Sequence, residues 1–280
     1  MKISLLILTY NEAIHIERLI ENIKENFKDI VIVDSYSTDK TLDLLNTHKI
    51  NSKNIRVYSN KFISPTNQID WAIKNINFEN DLVFKLDADE LISEELINFL
   101  NECSFNKNFV NEFHGIAIKR KMYFHNKILN WGGMNNIYVT RIFNKKNFKV
   151  EERLMDEHIF IKGKIFKSKI GYILDKNLKS IDDYLLKHIK YSTFEAIEFD
   201  NPYKSDKAYK SHLNVILKKK LKYNFYYKLP FFFRSFFFFL YRYFFLLGFL
   251  DGRSGLIFHI LNSFFYRFLV DIKIIKKRDM

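Results

Sequence analysis

The chain has 280 residues and a net charge of +13, and 48% of its residues are hydrophobic. This hydrophobic fraction supports a sizeable core and excludes a globally disordered chain. The single cysteine, Cys103, excludes an internal disulfide bond and fits a reducing compartment. The apolar run at 3–8 is short and lacks a small-residue cleavage site, so we interpret it as a strand and expect a cytoplasmic location.

The positive charge is concentrated in the C-terminal part of the chain. Residues 204–280 contain sixteen basic and four acidic residues, a net charge of +12, and phenylalanine runs at 231–233 and 236–239. A basic, aromatic tail on a nearly neutral body predicts a negatively charged partner for the tail. The composition changes near Asn201 and Pro202. We therefore predict a catalytic domain at 1–202 and a helical, basic region at 203–280.

Short apolar runs alternate with helical patterns in the first hundred residues. This alternation predicts an α/β fold with a doubly wound, mostly parallel sheet. Polar residues at Ser180 and Asp183 resemble a capping box and predict a helix that continues to about Phe199. The predicted strands lie at 3–8, 30–33, 55–58, 82–86, 115–123 and 137–143.

Three polar clusters follow predicted strands, at 9–12, 34–39 and 87–90. In an open parallel sheet, ligands bind where strands end at their carboxyl edge, so the clusters are expected to meet in one cleft. No GxGxxG or GxxxxGK[ST] motif is present, so neither a dinucleotide-binding fold nor a P-loop is indicated.

The acidic pair Asp87 and Asp89 is the sharpest chemical signal. Carboxylate oxygens suit Mg²⁺ or Mn²⁺, which share a substrate's phosphates, and such a metal would neutralise a leaving diphosphate. Alone, the pair is better explained as an acidic turn or helix N-terminus, but the two neighbouring clusters favour a site. Asp34 is a candidate to accept hydrogen bonds from a base or ribose, with a helix cap as the alternative.

Three N-terminal motifs follow or contain the predicted strand ends: LTYNEA (8–13), VDSYSTDKT (33–41) and KLDADE (85–90). The later landmarks are RKMYF (120–124), WGG (131–133), TRIFN (140–144), MDEH (155–158) and GFLDGRSGL (248–256). Together these motifs resemble family 2 glycosyltransferases, enzymes of the GT-A fold. The similarity is closer to a branch that contains lipopolysaccharide-core β-glucosyltransferases and related surface-polysaccharide enzymes.

The resemblance implies roles for residues around a nucleotide-sugar donor, with UDP as the expected nucleotide. Tyr10 and Glu12, in the loop that begins at Thr9, would border the nucleobase, and Asp34 would contact the base or ribose. Asp87 would hold the ribose or diphosphate side. Asp89 would bind a divalent metal, Mn²⁺ or Mg²⁺.

The resemblance also implies the chemistry at the acceptor, a glycan or glycolipid. Enzymes of this type usually invert the anomeric centre, with a carboxylate that deprotonates the acceptor hydroxyl. Glu157 is the favoured base and Asp156 the second choice, while ordinary surface acids are the alternative. His158 would lie near the diphosphate and metal, or would be a core or loop histidine.

Two further residues have a structural and a functional interpretation. Arg141 would pair with the donor diphosphate or form a structural salt bridge. Trp131 would stack on a sugar face or pack in the core. The segment 62–75 lacks the basic residue near a glycine that the branch usually carries, so contacts to the donor phosphates stay open there.

The tail predicts attachment to the cytoplasmic face of the inner membrane. Residues 229–250 are long enough to span a bilayer, but Arg234 and Arg242 interrupt them. As one helix, this segment would place both, with Arg253, toward headgroups and the phenylalanines in the acyl region. Lys218–Lys220 and Lys222 would add attraction to anionic lipid. A buried helical hairpin, a dimer interface and a true membrane span are the alternatives.

Two other function classes also fit parts of the composition. A metal-dependent nucleotidyltransferase usually needs a glycine-rich, basic loop after its first strand, whereas this chain has TYNEA there. A nucleic-acid-binding protein would use exposed aromatics against bases, but the aromatics here form solid blocks. We therefore expect no nucleic-acid partner.

Overall fold

A computed structural model describes residues 2–150, 158–199 and 224–279. The described chain forms two compact units. Unit 1 contains residues 2–120, 138–150 and 158–178, and unit 2 contains residues 121–137, 179–199 and 224–279. The predicted domain boundary at 202 lies outside the described residues and stays a prediction.

The strands of the described chain are numbered in chain order. They are β1 (Ser4–Thr9), β2 (Ile30–Asp34), β3 (Ile55–Ser59), β4 (Leu82–Asp87), β5 (Glu90–Ile92), β6 (Gly115–Phe124), β7 (Lys127–Leu129), β8 (Tyr138–Asn144), β9 (Phe148–Val150), β10 (Ile159–Ile161), β11 (Ile165–Lys167) and β12 (Ile173–Asp175). All six predicted strands are present.

The helices are likewise numbered in chain order. They are α1 (Ala13–Ile23), α2 (Thr41–Asn51), α3 (Pro65–Asn75), α4 (Glu94–Phe105), α5 (Lys107–Glu112), α6 (Ile181–Glu198), α7 (Phe233–Leu240), α8 (Gly252–His259) and α9 (Tyr266–Arg278). The capping box predicted for α6 is present, with reciprocal hydrogen bonds between Ser180 and Asp183.

The main sheet has the order β3-β2-β1-β4-β8-β6-β12-β5. The first four strands are parallel, as the alternation of strands and helices predicted, and β8 then pairs antiparallel with β4 and β6. The α/β prediction is confirmed, and the sheet as a whole is mixed. Alternate residues of the central strands enter different core clusters, with Leu5 and Ile7 in one and Leu6 in the other. Both sheet faces are therefore covered, which explains why these strands are apolar throughout.

Unit 2 contains a broken helical segment, whereas the membrane-interface interpretation of the sequence treated this stretch as one helix. Helix α7 ends in a π-helical turn at Tyr241–Phe245, and Leu247 then has a left-handed backbone with φ of 58°. The chain resumes in α8, and a second π-helical turn, Ile260–Phe265, leads into α9. Glycine is needed at position 248, because a Cβ there would lie 2.6 Å from Nε2 of His259.

The predicted direction of the tail arginines was wrong for two of the three. Arg234 is buried and its guanidinium donates to the buried carboxylate of Asp271 at 2.5 Å. Arg242 donates to the carbonyl oxygen of Gly132 at 2.7 Å. Because each guanidinium has a protein partner within unit 2, neither points toward headgroups, while Arg253 is exposed.

Among the described residues, one helical segment, Gly248–Arg278, is long and apolar enough to cross a membrane. This finding rests on length and composition alone, which the core helix of a soluble protein also satisfies. It does not coincide with the stretch at 229–250 that the sequence singled out.

Candidate functional site

The three polar clusters predicted from the sequence meet at one edge of the sheet in unit 1. The register pairs Thr9 with Asp34 across β1 and β2, and Leu8 with Asp87 across β1 and β4. The carboxyl ends of the three strands therefore lie side by side. This is the crevice position expected for a ligand of an open α/β sheet.

Asp34 is fully buried and accepts hydrogen bonds from neighbouring loops. Its Oδ2 accepts the hydroxyl of Thr9 at 2.8 Å and that of Ser37 at 2.6 Å, and its Oδ1 accepts the Ser37 N–H at 2.8 Å. A carboxylate offers about four lone-pair sites, and these contacts occupy three of them. A contact from Asp34 to a base or ribose stays a prediction.

Two residues in the strand-end loops have left-handed backbones. Asn11 has φ of 53°, which asparagine adopts readily, and Tyr36 has φ of 60°, which costs roughly 1–2 kcal/mol for a residue with a bulky side chain. These conformations are held by hydrogen bonds from Asn11 N–H to Ser37 Oγ and from Thr38 N–H to Asn11 Oδ1, both 2.8 Å. Tyr36 is 58% exposed and Tyr10 is 54% exposed. Two tyrosine rings therefore stand open at this edge, and sequence reasoning identified only Tyr10.

The carboxylate of Glu12 is oriented by His15. Nε2 of the buried His15 accepts the Leu178 N–H at 2.9 Å, so the proton is assigned to Nδ1, which donates to Oε2 of Glu12 at 2.6 Å. The histidine therefore fixes Glu12 in the loop after β1. The contact of Glu12 with a nucleobase stays a prediction.

Asp87 is ion-paired on both carboxylate oxygens. Lys85 donates to Oδ1 at 2.5 Å and Arg141 to Oδ2 at 2.7 Å. Burial alone would raise the pKa of Asp87, but the charges of Arg141 and Lys85 outweigh it and hold the pKa below its ordinary value. Of the two interpretations of Arg141, the salt bridge is present, and a contact with a diphosphate stays a prediction.

Glu90 contacts both Asp87 and Arg141, and the sequence analysis gave it no role. It is fully buried, accepts Arg141 at 2.5 Å on Oε1 and accepts the Asp87 N–H at 3.0 Å on Oε2. Burial raises the pKa of Glu90 against the opposing charge of Arg141. Arg120 contacts Glu90 and is also hydrogen-bonded to Asp175.

These side chains form one ion-pair network within unit 1. It contains three cations and three acids. The members are Lys85, Arg120 and Arg141 with Asp87, Glu90 and Asp175.

Asp89 differs from Asp87 because its charge is not compensated in this way. Its Oδ2 accepts the amide of Asn177 at 2.9 Å, and the cations that interact with its charge, Arg18 and Arg120, form no direct ion pair with it in the described part of the chain. Its backbone oxygen accepts the Lys176 N–H at 3.0 Å. Asp89 is therefore the carboxylate of the cluster that suits a cation. Sequence reasoning did not identify Asn177, which is 88 positions away.

Two further observations limit the metal interpretation. In the three described ranges, no group of three or more His, Cys, Asp or Glu is arranged to hold a metal. His158 is half-buried directly before β10, and its predicted role near a metal stays a prediction. Asp156 and Glu157 lie outside the described residues.

Trp131, in unit 2, belongs to a tightly held loop. Asp251 accepts the Trp131 N–H at 2.9 Å, and the Gly132 N–H donates to the carbonyl oxygen of Leu246 at 2.8 Å. Gly132 has φ of 65°, and a Cβ there would come within 2.0 Å of Nε2 of His259. The landmark segments 131–133 and 248–256 therefore fold against each other. The Trp131 side chain stays 42% exposed, which favours the stacking interpretation over core packing.

Comparisons with known sequences match this chain to one family. The sequence model described as "Glycosyl transferase family 2" matches residues 4–152. An uncharacterized glycosyltransferase of Rickettsia bellii is 36% identical over 95 residues, 34% of this chain and 30% of that protein. An uncharacterized glycosyltransferase of Rickettsia conorii is 30% identical over 181 residues, 62% of this chain and 60% of that protein. The chain thus spans less than two thirds of these relatives.

A solved structure has a similar fold. The mannosyltransferase PcManGT from Pyrobaculum calidifontis, in complex with GDP-Man and Mn²⁺, aligns with a TM-score of 0.58 and 12% identity. The alignment covers 99% of this chain and 88% of that protein. The predicted GT-A fold is confirmed by this likeness.

Proposed function

Because this chain belongs to glycosyltransferase family 2, we propose that it transfers a sugar from a nucleotide-diphosphate sugar to a hydroxyl group of a glycan or glycolipid acceptor. UDP is the proposed nucleotide, and a lipid-linked or surface-polysaccharide glycan is the proposed acceptor. The reaction is proposed to invert the anomeric centre. With such an acceptor, the enzyme is proposed to act on the cytoplasmic face of the inner membrane.

The observation that carries this proposal is the edge of the sheet where β1, β2 and β4 end together. Two exposed tyrosines, Tyr10 and Tyr36, offer ring faces for a nucleobase. At the same edge Asp87 ends β4 and Asp89 follows it. Binding of GDP-Man by PcManGT, a protein of the same fold, is consistent with a donor at this edge.

The residues at this edge fit a divalent cation. The Asp89 carboxylate would hold it, with Asp87 on the diphosphate side, and donor phosphates and water would complete the ligands, as is usual for Mg²⁺. When bound, the cation would neutralise the charge that develops on the leaving diphosphate. Lys85 and Arg141 fix the position of Asp87, so that its carboxylate stays ionised and oriented.

In the proposed transfer, the acceptor oxygen bonds to the anomeric carbon as the bond from that carbon to the phosphate oxygen breaks. The electron pair of the broken bond goes to the nucleoside diphosphate. The proton of the acceptor hydroxyl goes to a carboxylate, for which we propose Glu157, with Asp156 as the second choice. Trp131 is proposed to stack on a sugar face of the acceptor.

A ligand screen tests the proposed donor. We expect UDP-sugars with Mn²⁺ to raise the melting temperature, since a ligand at one hundred times its Kd stabilises the native state by about 2.7 kcal/mol, a shift of roughly 5 °C. The measurement is a thermal-shift assay with UDP-, GDP- and ADP-sugars, each with Mn²⁺ or with a chelator. The proposal fails if no nucleotide sugar changes the melting temperature under either condition.

The base assignment predicts a separation of binding from chemistry. Glu157→Gln is expected to leave donor binding almost unchanged and to lower the transfer rate by about 10² to 10⁴, the usual contribution of a general base. Rates of sugar transfer, together with donor affinity, measure this separation, and Asp156→Asn is the matched control. Near-normal transfer by Glu157→Gln together with an inactive Asp156→Asn would reverse the assignment.

A further inference from the structure

In the helical segment that begins with α7, apolar side chains face outward and polar side chains face inward, the reverse of the usual arrangement in a soluble protein. We define its aromatic face as the exposed side chains that recur at intervals of three and four residues, the spacing of one side of a helix. They are between 47% and 78% exposed: Phe233, Phe236, Phe237, Tyr241, Phe244 and Phe245. A soluble helix normally buries such a stripe, so this face is suited to an apolar environment outside the protein.

The polar residues of the same segment face inward. Arg234 and Ser235 are buried and both bind Asp271, with Oγ of Ser235 3.0 Å from Oδ2. Arg242 donates to the Gly132 carbonyl and to Ser263. These contacts fix the rotation of the segment, so the aromatic face cannot turn inward without breaking the ion pair.

The charge around the aromatic face is positive. Residues 224–279 contain nine basic and three acidic residues, and of the acidic ones Asp251 and Asp271 are buried and Asp279 is exposed. Lys228 precedes the aromatic face and Arg253 follows it, and both are exposed. An apolar face flanked by cations complements the surface of an anionic lipid leaflet, where rings enter the acyl boundary and cations lie among headgroups.

We infer that the aromatic face of unit 2 is a membrane-docking surface that inserts into the interface of an anionic bilayer. A second copy of this chain would bring the same positive charge to the contact, which like-charge repulsion disfavours. RNA is also anionic, but the rings of the aromatic face form a continuous stripe and are not spaced to stack with single bases. This inference names the surface by which the enzyme would reach a membrane-associated acceptor. It rests on the proposed function only for that biological role.

Flotation of the purified full-length protein with vesicles tests this surface. The wild-type protein is expected to float with vesicles of phosphatidylglycerol and phosphatidylethanolamine, and more weakly with phosphatidylcholine alone. The triple variant Phe237→Gln/Phe244→Gln/Phe245→Gln is expected to lose at least about tenfold in partitioning, since three large apolar groups no longer enter the acyl region. Exposed positions tolerate glutamine in a helix, so circular dichroism and melting temperature are expected to match the wild type.

Matched controls separate docking from other effects. Ile50→Gln/Phe105→Gln removes two exposed apolar side chains from unit 1 and is expected to float as the wild type does. Leucine at the three aromatic positions is expected to restore flotation. Wild-type flotation by the glutamine variant overturns the inference. So does conversion of a dimer to a monomer by the glutamine substitutions, seen by sedimentation velocity, or a loss of RNA retention without a change in flotation.

The same proteins distinguish this inference from the proposed function. Hydrolysis of nucleotide sugars without acceptor is expected to be equal in the glutamine variant and the wild type. If no variant turns over any nucleotide sugar while the flotation results hold, the proposed function fails and the docking surface stands.

Discussion

Asp89→Ala is expected to lower metal-dependent turnover of the nucleotide sugar by about a hundred- to a thousandfold, the usual effect of removing one group that stabilises developing charge. Asp89 has one neutral partner, Asn177, and among the described residues no cation pairs with its carboxylate. Its removal breaks no direct ion pair among the described residues and takes one nearby negative charge from the half-buried Arg18, so the melting temperature without ligand is expected to fall only slightly. Donor hydrolysis measured across a series of Mn²⁺ concentrations checks this result.

Asp81→Ala is the matched control for this variant. Asp81 precedes β4, whereas Asp89 follows it, and Asp81 is 54% exposed beside Lys145 and Lys146. Surface pairs of this kind contribute about 0–1 kcal/mol, so both turnover and stability are expected to stay near wild type. Full turnover by Asp89→Ala, with an unchanged Mn²⁺ dependence, would exclude Asp89 as a metal ligand.

Asp87 would be a less informative target than Asp89. Its carboxylate holds Lys85, which is 3% exposed, and Arg141. Removing it would take one carboxylate partner from each of two poorly solvated cations, which is destabilising in its own right. Lost activity in an Asp87 variant would therefore mix a binding defect with a folding defect.

The half of the site that follows parallel strands was predictable from the sequence. Parallel strands buried on both faces appear as short apolar runs, and the polar residue after each run marks the carboxyl edge. Asp34, Asp87 and Asp89 were placed in this way, and the register of β1 with β2 and β4 confirms that the three loops meet.

The charge network could not be predicted, because its members meet through long-range pairing. Arg120 lies on β6 and Arg141 on β8, strands that pair antiparallel, and Asp175 ends β12. No local spacing relates these strands to Glu90. The lysine inside the apolar run of β4, Lys85, was the one available signal, since a buried lysine needs a carboxylate partner.

The C-terminal tail shows a second feature that helical periodicity could not predict, the orientation of its helical segment. Helical spacing correctly separated phenylalanines from arginines, but it did not indicate which side faces the protein. That depends on Asp271, which is 37 positions from Arg234. The break at Leu247 also lies outside what spacing predicts, because it depends on the close approach of Gly248 to His259.

Asp271→Asn is expected to destabilise the protein by about 3–5 kcal/mol, the usual result of removing one partner from a buried ion pair. The side chains of Arg234 and Asp271 are 0% and 1% exposed, so the guanidinium would keep its charge without a counterion or water. The rings of Phe231 and Tyr227, 4.6 Å and 5.1 Å from the guanidinium carbon, compensate for only part of that charge. The carboxylate also accepts the Phe232 N–H at 2.8 Å, and Phe232 has φ of 64°, so this strained turn depends on the same group.

Urea unfolding followed by circular dichroism measures the expected loss as a lower midpoint for the transition that reports unit 2. Asp279→Asn, a change at an exposed acid of the same tail, is expected to leave that midpoint unchanged. The double variant Arg234→Met/Asp271→Leu is expected to recover much of the loss, because a buried pair replaced by apolar side chains of similar size is often neutral in stability. An Asp271→Asn protein with the wild-type midpoint would mean that the pair does not hold the segment in place. The aromatic face would then owe its outward direction to contacts other than this ion pair.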